Sequence, residues 1–272
     1  MSRLFPDTLV IELFADRVSL TRKRGLFGRQ IAAAHTAPVL GSAGAVGSAA
    51  LETLQTLLAD AKWQDARADI RLSNALVGYT MVPASKQLLG AADELALAQL
   101  KFQQMHGSGT AQWEVRLDNL LSGASQLAAA LDRRFLEKLL EVLAAARLKP
   151  VSIQPLLMHH LNQVRRKVAG LDVWFAHVEP GLLTLCRLQQ GRLASLSATA
   201  LTEALPLTLE AQVMQATLLA GTEGFPQRLY VYCHDLSAAG LTVHGLEVVD
   251  LSPRKIAPHP AASVVTPAAV KG

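Results

Sequence analysis

The sequence predicts an α/β protein made of two similar halves, each with a mixed β-sheet flanked by helices. Three strand patterns in residues 8–37 recur in the same order in residues 171–199, and each triplet leads after a short link into a helical segment. Alternating apolar and polar residues between turn residues indicate strands, whereas apolar residues three or four positions apart indicate helices. Three strands followed by a helix, twice in one chain, predict a duplicated fold.

The first half begins with a hairpin sheet. Its strands turn at Ala15-Asp16 and again near Gly25–Gly28, where turn-forming residues permit sharp reversals. The link GSAGAVGS at 41–48 leads into a helix over about 49–62, which has leucines at helical spacing. The predicted strands in this part of the chain are TLVIELF (8–14), RVSLTRKR (17–24), QIAAAHTAPV (30–39), ADIRLS (68–73) and YTMVP (79–83).

Residues 74–147 are predicted to form an inserted small α+β subdomain. A helix over about 91–105 is followed by a strand at 111–118, in which apolar and charged residues alternate. A long helix is then predicted over about 124–147, because apolar residues recur at four-residue steps and the segment ends in basic residues before a proline. Those apolar residues are Leu127, Leu131, Phe135, Leu139 and Leu143.

The chain then returns to the first half through the strand VSIQP (151–155) and the helix LLMHHLNQVRRK (156–167). The tail at 252–272 is rich in Pro, Ala and Val without periodicity, which indicates a flexible segment. The second half is predicted to hold strands at 171–177, 181–188 and 191–198, a helix over about 207–220, a strand at 228–234, a short helix or turn at 236–241 and a last strand at 246–251.

Composition limits the class of protein. Of the 272 residues, 50% are hydrophobic and 18% are charged, which excludes a disordered chain. The longest apolar runs fall far short of the roughly 20 residues that a membrane span requires, and the N-terminus is interpreted as a first strand, not a signal peptide. Cys186 and Cys233 lie far apart in strand-like runs, so we interpret them as buried thiols of a cytoplasmic protein.

The net charge of +4 comes with local basic groups, at 22–29 in the first hairpin and at 165–167 at a helix end. Solvated turns and helix-end cations explain them most simply. Attraction to an anionic inner-membrane surface is the alternative, and the lack of a long polybasic block makes it the weaker one.

This layout resembles the actin-like cytoplasmic proteins of bacterial pilus and secretion machines: the PilM family of type IV pili, the MshI-type proteins and the cytoplasmic domain of GspL in type II secretion. The segment RLKPVSIQPLLMHHLNQVRR (147–166) resembles the crossing between their halves, and IRLSNALVGYTMVP (70–83) with QWEVRL (112–117) resembles their inserted subdomain. The resemblance implies an actin-like (ribonuclease H-like) duplicated fold. Residues 1–73 and 148–170 would form the first half, 74–147 the insertion and 171–251 the second half.

The same resemblance implies three nucleotide-binding turns, and this sequence departs from all of them. An active relative carries Asp-x-Gly in the first hairpin of each half and two glycines in an adenosine loop, because the acid handles a metal-bound water and glycine admits a phosphate. We therefore expect a pseudo-ATPase with no catalytic residue, no metal and poor binding of ATP and Mg. The residues that occupy these positions but differ from the motifs are Glu12, Phe14, Ser19, His177, Glu179, Cys233 and His234, where Ser19 replaces a basic residue.

Other patterns carry little chemistry. His177-Val-Glu179 matches the His-x-Glu of zinc deaminases, but the required Pro-Cys-x-x-Cys is missing. His159 and His160 are adjacent on a helix and diverge by about 100°, so one is expected to pack in the core and one to be exposed. The glycines of 41–48 are interpreted as a linker, because neither phosphate-binding motif is present.

Because these patterns do not support catalysis or metal binding, we interpret the chain as a protein that binds a partner. The resemblance implies a groove beside the inserted segment that accepts a short cytoplasmic peptide of a PilN-like inner-membrane protein. It also implies a place in the cytoplasm against the inner membrane. An assembly ATPase as a further partner and a homo-oligomer both stay open, because the sequence does not decide the oligomeric state. Candidate groove residues are Val77, Tyr79, Met81, Phe102 and Trp113, with the alternative that these are ordinary core residues of the insertion.

Three functions thus stay open. The first is a non-catalytic scaffold of a pilus or secretion assembly. The second is a divergent actin-like ATPase or sugar kinase-type enzyme that retains weak ATP binding. The third, a ribonuclease H-like nucleic-acid binder, is suggested by a pI of about 9.2. It lacks both the clustered carboxylates for two metals and an aromatic platform, so we expect no nucleic-acid partner.

Overall fold

The structure is a computed structural model that describes residues 7–25, 30–40, 46–83, 90–118, 125–220, 226–234, 238 and 240–252. None of the described helices is long and apolar enough to cross a membrane. The described strands are β1 (Thr8–Leu13), β2 (Arg17–Arg24), β3 (Gln30–Pro38), β4 (Arg67–Leu72), β5 (Gly78–Val82), β6 (Trp113–Leu117), β7 (Gln126–Asp132), β8 (Lys149–Pro155), β9 (Val173–Glu179), β10 (Leu182–Gln189), β11 (Arg192–Ala200), β12 (Arg228–Cys233) and β13 (Glu247–Asp250). The helices are α1 (Val46–Leu58), α2 (Ala91–His106), α3 (Arg133–Ala145), α4 (Leu156–Val168) and α5 (Leu205–Ala220).

The two main sheets have the same strand order. The first runs β3-β2-β1-β4-β8 and the second β11-β10-β9-β12-β13. In each, the first three strands form an antiparallel meander and the last two join in parallel. The duplicated mixed sheets predicted from the sequence are therefore confirmed.

One helix of the prediction is wrong. Residues 126–132 form β7, the middle strand of a three-stranded sheet ordered β5-β7-β6, and α3 begins only at Arg133. The run LAAAL fits either a strand or a helix, because a short apolar stretch has no decisive period. Pairing on both sides selects the strand. Asp132 then starts the helix by accepting a hydrogen bond from the Phe135 N–H at 3.0 Å.

Helix α3 belongs to the packing of the first sheet. Its buried Leu139 and Leu143 join the same core cluster as Leu54 of α1 and Ile70 of β4. That cluster also includes Phe175 of the second sheet, so one apolar core is shared by the two halves. The halves are consequently held as one body.

The remaining differences lie at element ends. Helix α1 begins at Val46, three residues earlier than predicted, and ends at Leu58. The second hairpin turn at 26–29, the link at 41–45, half of the predicted turn at 236–241 and the tail from 253 lie outside the described residues. Both cysteines are free and buried, as expected from their strand positions.

Leu139→Ala tests the placement of α3. Leu139 is fully buried, so the truncation is expected to lower the free energy of unfolding by about 2–5 kcal/mol. Its neighbour Leu140 is 39% exposed and is the matched control, for which Leu140→Ala should cost less than about 1 kcal/mol. Urea unfolding of both variants measures the difference, and equal losses would contradict this register of α3.

Candidate functional site between the two halves

The ends of four strands meet between the two sheets. The chain leaving β4 contacts the end of β9, where the Asn74 N–H donates to Oε1 of Glu179 at 3.0 Å. In the other direction, the residue after β12 contacts the end of β1, where the rings of His234 and Phe14 lie 4.6 Å apart. Each half therefore brings its first strand to the fourth strand of the other half, as a duplicated fold requires.

Asn74 is the central residue of the first contact. It is buried, and its side-chain oxygen accepts hydrogen bonds from the Tyr79 hydroxyl at 2.7 Å and from the Leu157 N–H at 3.3 Å. A peptide N–H can only donate, so the oxygen of the amide is fixed on that side and Nδ2 faces His177. Nδ2 lies 3.0 Å from Nδ1 of His177. Asn74 thus joins the insertion, α4 and the second half.

The His177 ring continues this chain of hydrogen bonds. With Nδ1 accepting from Asn74, its Nε2–H donates to Nδ1 of His160, 2.8 Å away. The ring of Tyr232 stacks on His160 with centroids 3.7 Å apart. Burial, and then the electrostatic interaction with His177, lower the pKa of His160 from 6.5 to about 2, so His160 is neutral.

Glu179 is a buried carboxylate. Burial alone raises its pKa, but contacts with His177, the Ser73 hydroxyl and the Asn74 N–H outweigh burial, and the pKa lies below its usual value. Oε1 is also 3.3 Å from Nδ1 of His177. The site accordingly places a fixed negative charge at the turn that the resemblance assigns to phosphate.

The second contact is occupied by an aromatic ring and an ion pair. Phe14 is 1% exposed, and the guanidinium of Arg17 lies 4.1 Å from its ring centroid. Arg71 donates to Glu12 at 3.0 Å and to Asp69 at 3.1 Å. These two carboxylates are therefore already paired with a cation. In the described ranges, no three His, Cys, Asp or Glu side chains are grouped as ligands for a metal ion.

The structure brings together most of the predicted nucleotide-turn residues. Glu12, Phe14 and His234 share one contact, and His177 with Glu179 forms the other. Cys233 is buried at the end of β12, and burial raises the pKa of its thiol to about 11. Ser19 lies apart, where its hydroxyl is 3.0 Å from the Thr36 hydroxyl across the β2–β3 pair.

The sequence prediction missed Asn74, Arg71, Tyr232 and the role of His160. The sequence offered a signal for Asn74, because this residue follows the predicted strand at 68–73, and polar residues after parallel strands commonly meet at one sheet edge. The adjacent histidines were predicted to differ in exposure. His160 is buried, and His159 is half-buried, with a pKa lowered first by burial and then by Arg71.

The predicted partner-binding residues have mixed positions. Val77, Tyr79 and Phe102 are buried core residues, so a partner could reach them only after a rearrangement. Met81 and Trp113 remain partly exposed, and Trp113 packs over Gly78, where a Cβ would come within 2.7 Å of the indole. Whether any of the five contacts a partner stays a prediction.

A groove of about 420 Å³, termed here the central groove, lies between the insertion, α4 and the β10–β11 hairpin. Its surface is mainly apolar, with basic side chains from α4 and β11. It is lined by Asp118, Leu127, Met158, Leu161, Asn162, Arg165, Val168, Leu188, Gly191, Arg192 and Leu193. None of the five residues above belongs to that lining.

Comparison with known proteins identifies the fold. No protein-family model and no curated protein matches the sequence. A Bacteroides thetaiotaomicron protein with an actin-like ATPase fold and unknown function matches with a TM-score of 0.58 and 13% identity, over 85% of this chain and 82% of that one. The PilM–PilN type IV pilus biogenesis complex matches with a TM-score of 0.61 and 14% identity, over 89% and 88%.

The cytoplasmic domain of EpsL, an inner-membrane component of the type II secretion system of Vibrio cholerae, matches with a TM-score of 0.53 and 11% identity, over 92% of this chain and 88% of that one. At such identities the likeness shows the fold alone. The chain therefore has the actin-like fold predicted from its sequence, and the PilM-type and GspL-type proteins named by the resemblance are among its structural neighbours.

The buried His160 predicts a loss of stability in acid. The unfolded chain binds this proton below about pH 6.5, whereas the folded chain does not until about pH 2, so the free energy of unfolding falls as the pH drops through that window. We expect His160 to contribute up to about 1.4 kcal/mol per pH unit to the slope. His160→Gln should make the slope shallower by that amount.

Urea unfolding between pH 7 and 4.5 measures these slopes. His159→Gln is the matched control and should change the slope less, because His159 is only half-buried. Identical slopes for the parent chain and His160→Gln would show that His160 takes up its proton in the folded state.

Proposed function

We propose that this chain is a non-catalytic, cytoplasmic scaffold of a pilus- or secretion-type assembly at the bacterial inner membrane. In this proposal it is a pseudo-ATPase, in which the cleft of the actin-like fold is closed by side chains. It binds a short cytoplasmic segment of a PilN-like inner-membrane protein. It requires neither ATP nor Mg.

The contact between Glu179 and Asn74 carries the proposal. It joins the two halves directly, at a turn where an active relative would place a phosphate. A phosphate there would meet a buried carboxylate, and like charges in a poorly solvated site repel strongly. At the other turn the buried ring of Phe14 takes the volume that a glycine would leave open. Both features oppose nucleotide binding.

The central groove is the site that we propose for the partner segment. Its apolar residues from α4, β7 and β10 offer area for apolar side chains, and Arg165 and Arg192 supply donors at its rim. The PilM–PilN complex and the EpsL cytoplasmic domain share this fold, which supports a role beside an inner-membrane protein. The groove also has a suitable size for a few side chains of an extended segment.

The absence of nucleotide binding is tested by thermal unfolding with millimolar Mg-ATP or Mg-ADP. A ligand at about 100 times its Kd would add about 2.7 kcal/mol of stability, so a working site would raise the Tm. We expect no shift. Glu179→Gln is a useful companion, because it removes the charge while keeping the shape. A Tm that rises with nucleotide in the parent chain, and rises further in Glu179→Gln, would favour the divergent ATPase or sugar kinase-type enzyme.

The partner site is tested by filling the central groove. Asn162→Trp places a large ring in the groove from an exposed position on α4, and Gln163→Trp places the same ring on the neighbouring exposed position outside it. Each full-length chain is purified with mildly solubilised inner membranes, and bound proteins are identified by mass spectrometry. We expect the parent and Gln163→Trp to recover an inner-membrane protein with a short cytoplasmic segment, and Asn162→Trp to lose it at least tenfold.

Two results would contradict this assignment. Recovery of no inner-membrane protein by the parent chain would count against the scaffold itself. Equal recovery by Asn162→Trp would keep the scaffold and reject the central groove as its binding site.

A further inference from the structure

A second groove lies on the far side of the second sheet. It has a volume of about 510 Å³ and runs between strand β11 and helix α5. Six consecutive residues of β11, from Ala194 to Thr199, line one side, and Gln212, Gln215, Ala216 and Leu219 of α5 line the other. We call it the edge groove. Because successive side chains of a strand point to opposite faces, a cavity touched by six in a row follows the edge of the strand.

Strand β11 is the edge of its sheet. In the described part of the chain it is hydrogen-bonded to β10 alone, so its outer row of N–H and C=O groups is not paired with another described strand, although β5 of the insertion lies close to β11. Proteins usually protect such an edge with charged side chains or proline. The segment ASLSAT at 194–199 has neither. An edge of this kind is suited to pairing with an added strand.

Arg187 supplies a specific chemical group at the same place. It lies on β10 opposite Ser195 of β11 and Trp174 of β9, and it lines the edge groove. Its Nε is buried and has no hydrogen-bond partner, and no ion pair to Arg187 exists among the described residues. A partly buried guanidinium without a carboxylate is costly, so a carboxylate from a ligand would be favoured there.

The other groove residues define the ligand further. The hydroxyls of Ser195, Ser197 and Thr199 and the amides of Gln212 and Gln215 are uncharged. One cation among neutral donors and acceptors matches a single carboxylate, whereas a polyphosphate would require several cations. Leu219, which is 82% exposed at the rim, offers an apolar contact beside this polar strip.

We propose that the edge groove binds an extended peptide segment of a partner protein, which pairs with the outer edge of β11 under α5 and places a carboxylate on Arg187. This site is separate from the central groove, and it does not depend on the proposed function. Main-chain hydrogen bonds to β11 would supply most of the affinity, and Arg187 would select segments with an acidic side chain or a free C-terminus.

The experiment selects ligands from a displayed library of random heptapeptides on the full-length chain. Selected peptides are synthesised with free and with amidated C-termini, and their affinity is measured by fluorescence anisotropy. Gln215→Trp fills the groove from an exposed helix position, and Met214→Trp is its control at the neighbouring exposed position, which does not line the groove. Arg187→Gln removes the cation, and Arg134→Gln removes the same charge from an exposed position on α3.

We expect enrichment of β-prone peptides carrying Asp, Glu or a free C-terminal carboxylate. Their Kd should rise at least tenfold in Gln215→Trp and in Arg187→Gln, and stay within twofold in both controls. Loss of binding on amidation alone would assign the carboxylate to the C-terminus, whereas retention would assign it to an acidic side chain. Hydrogen exchange should slow across residues 192–200 when peptide is bound, because strand addition protects outward N–H groups.

Four results would overturn the proposal. The first is the absence of any enriched peptide, and the second is equal peptide affinity of the parent chain and Gln215→Trp. The third is protection of residues 192–200 by acetate alone, which would make this a small-anion site. The fourth is a dimer of the parent chain in sedimentation that Gln215→Trp dissociates, since a second copy would then occupy the edge.

Discussion

The contact between Asn74 and Glu179 is the constraint on which the arrangement of the two halves depends. The carboxylate of Glu179 is buried, and its Oε1 accepts the Asn74 N–H from the other half, next to the hydrogen bonds that His177 makes with Asn74 and His160 across the same boundary. Removing one partner of a buried charge typically costs about 3–5 kcal/mol. Separating the halves would break these bonds together and would also split the shared apolar core. Both contributions therefore stabilise the contact between the halves.

The duplication gives two equivalent contacts, which the sequence fills in different ways. At the end of β9, two histidines, an amide and a carboxylate form a buried network. At the end of β1, Arg71 pairs with two carboxylates that remain partly accessible to water, and Phe14 supplies apolar volume. Ion pairs in partly solvated positions contribute little to stability, whereas buried hydrogen bonds are costly to break. The end of β9 is thus the more rigid of the two contacts.

The local secondary structure and the turn residues could be predicted from the sequence. The strands of both meanders were predictable because each is a short run with apolar residues between turn residues. The substitutions at Phe14 and Glu179 were visible because they occupy turns that the resemblance defines. Strand β7 was not predictable, because LAAAL takes its conformation from β5 and β6 on either side. The contacts among Asn74, His160 and Tyr232 were also not predictable from the sequence. These side chains meet only after the halves pack, and local hydrophobic periodicity carries no information about such contacts.

The stability of the contact between the halves limits how binding at the two proposed grooves can be coupled. Coupling between sites requires an element with two arrangements that each ligand favours differently. Hinge opening between the halves is a poor candidate here, because it would expose Glu179 and His160 without partners. The central groove and the edge groove lie on opposite faces of the second sheet, and both are lined by β11. Any coupling between them would therefore pass through displacement of this one edge strand. In its absence, the sheet would hold the two proposed ligands at a fixed separation and would lose little entropy in ordering either site, which is the property that the proposed scaffold requires.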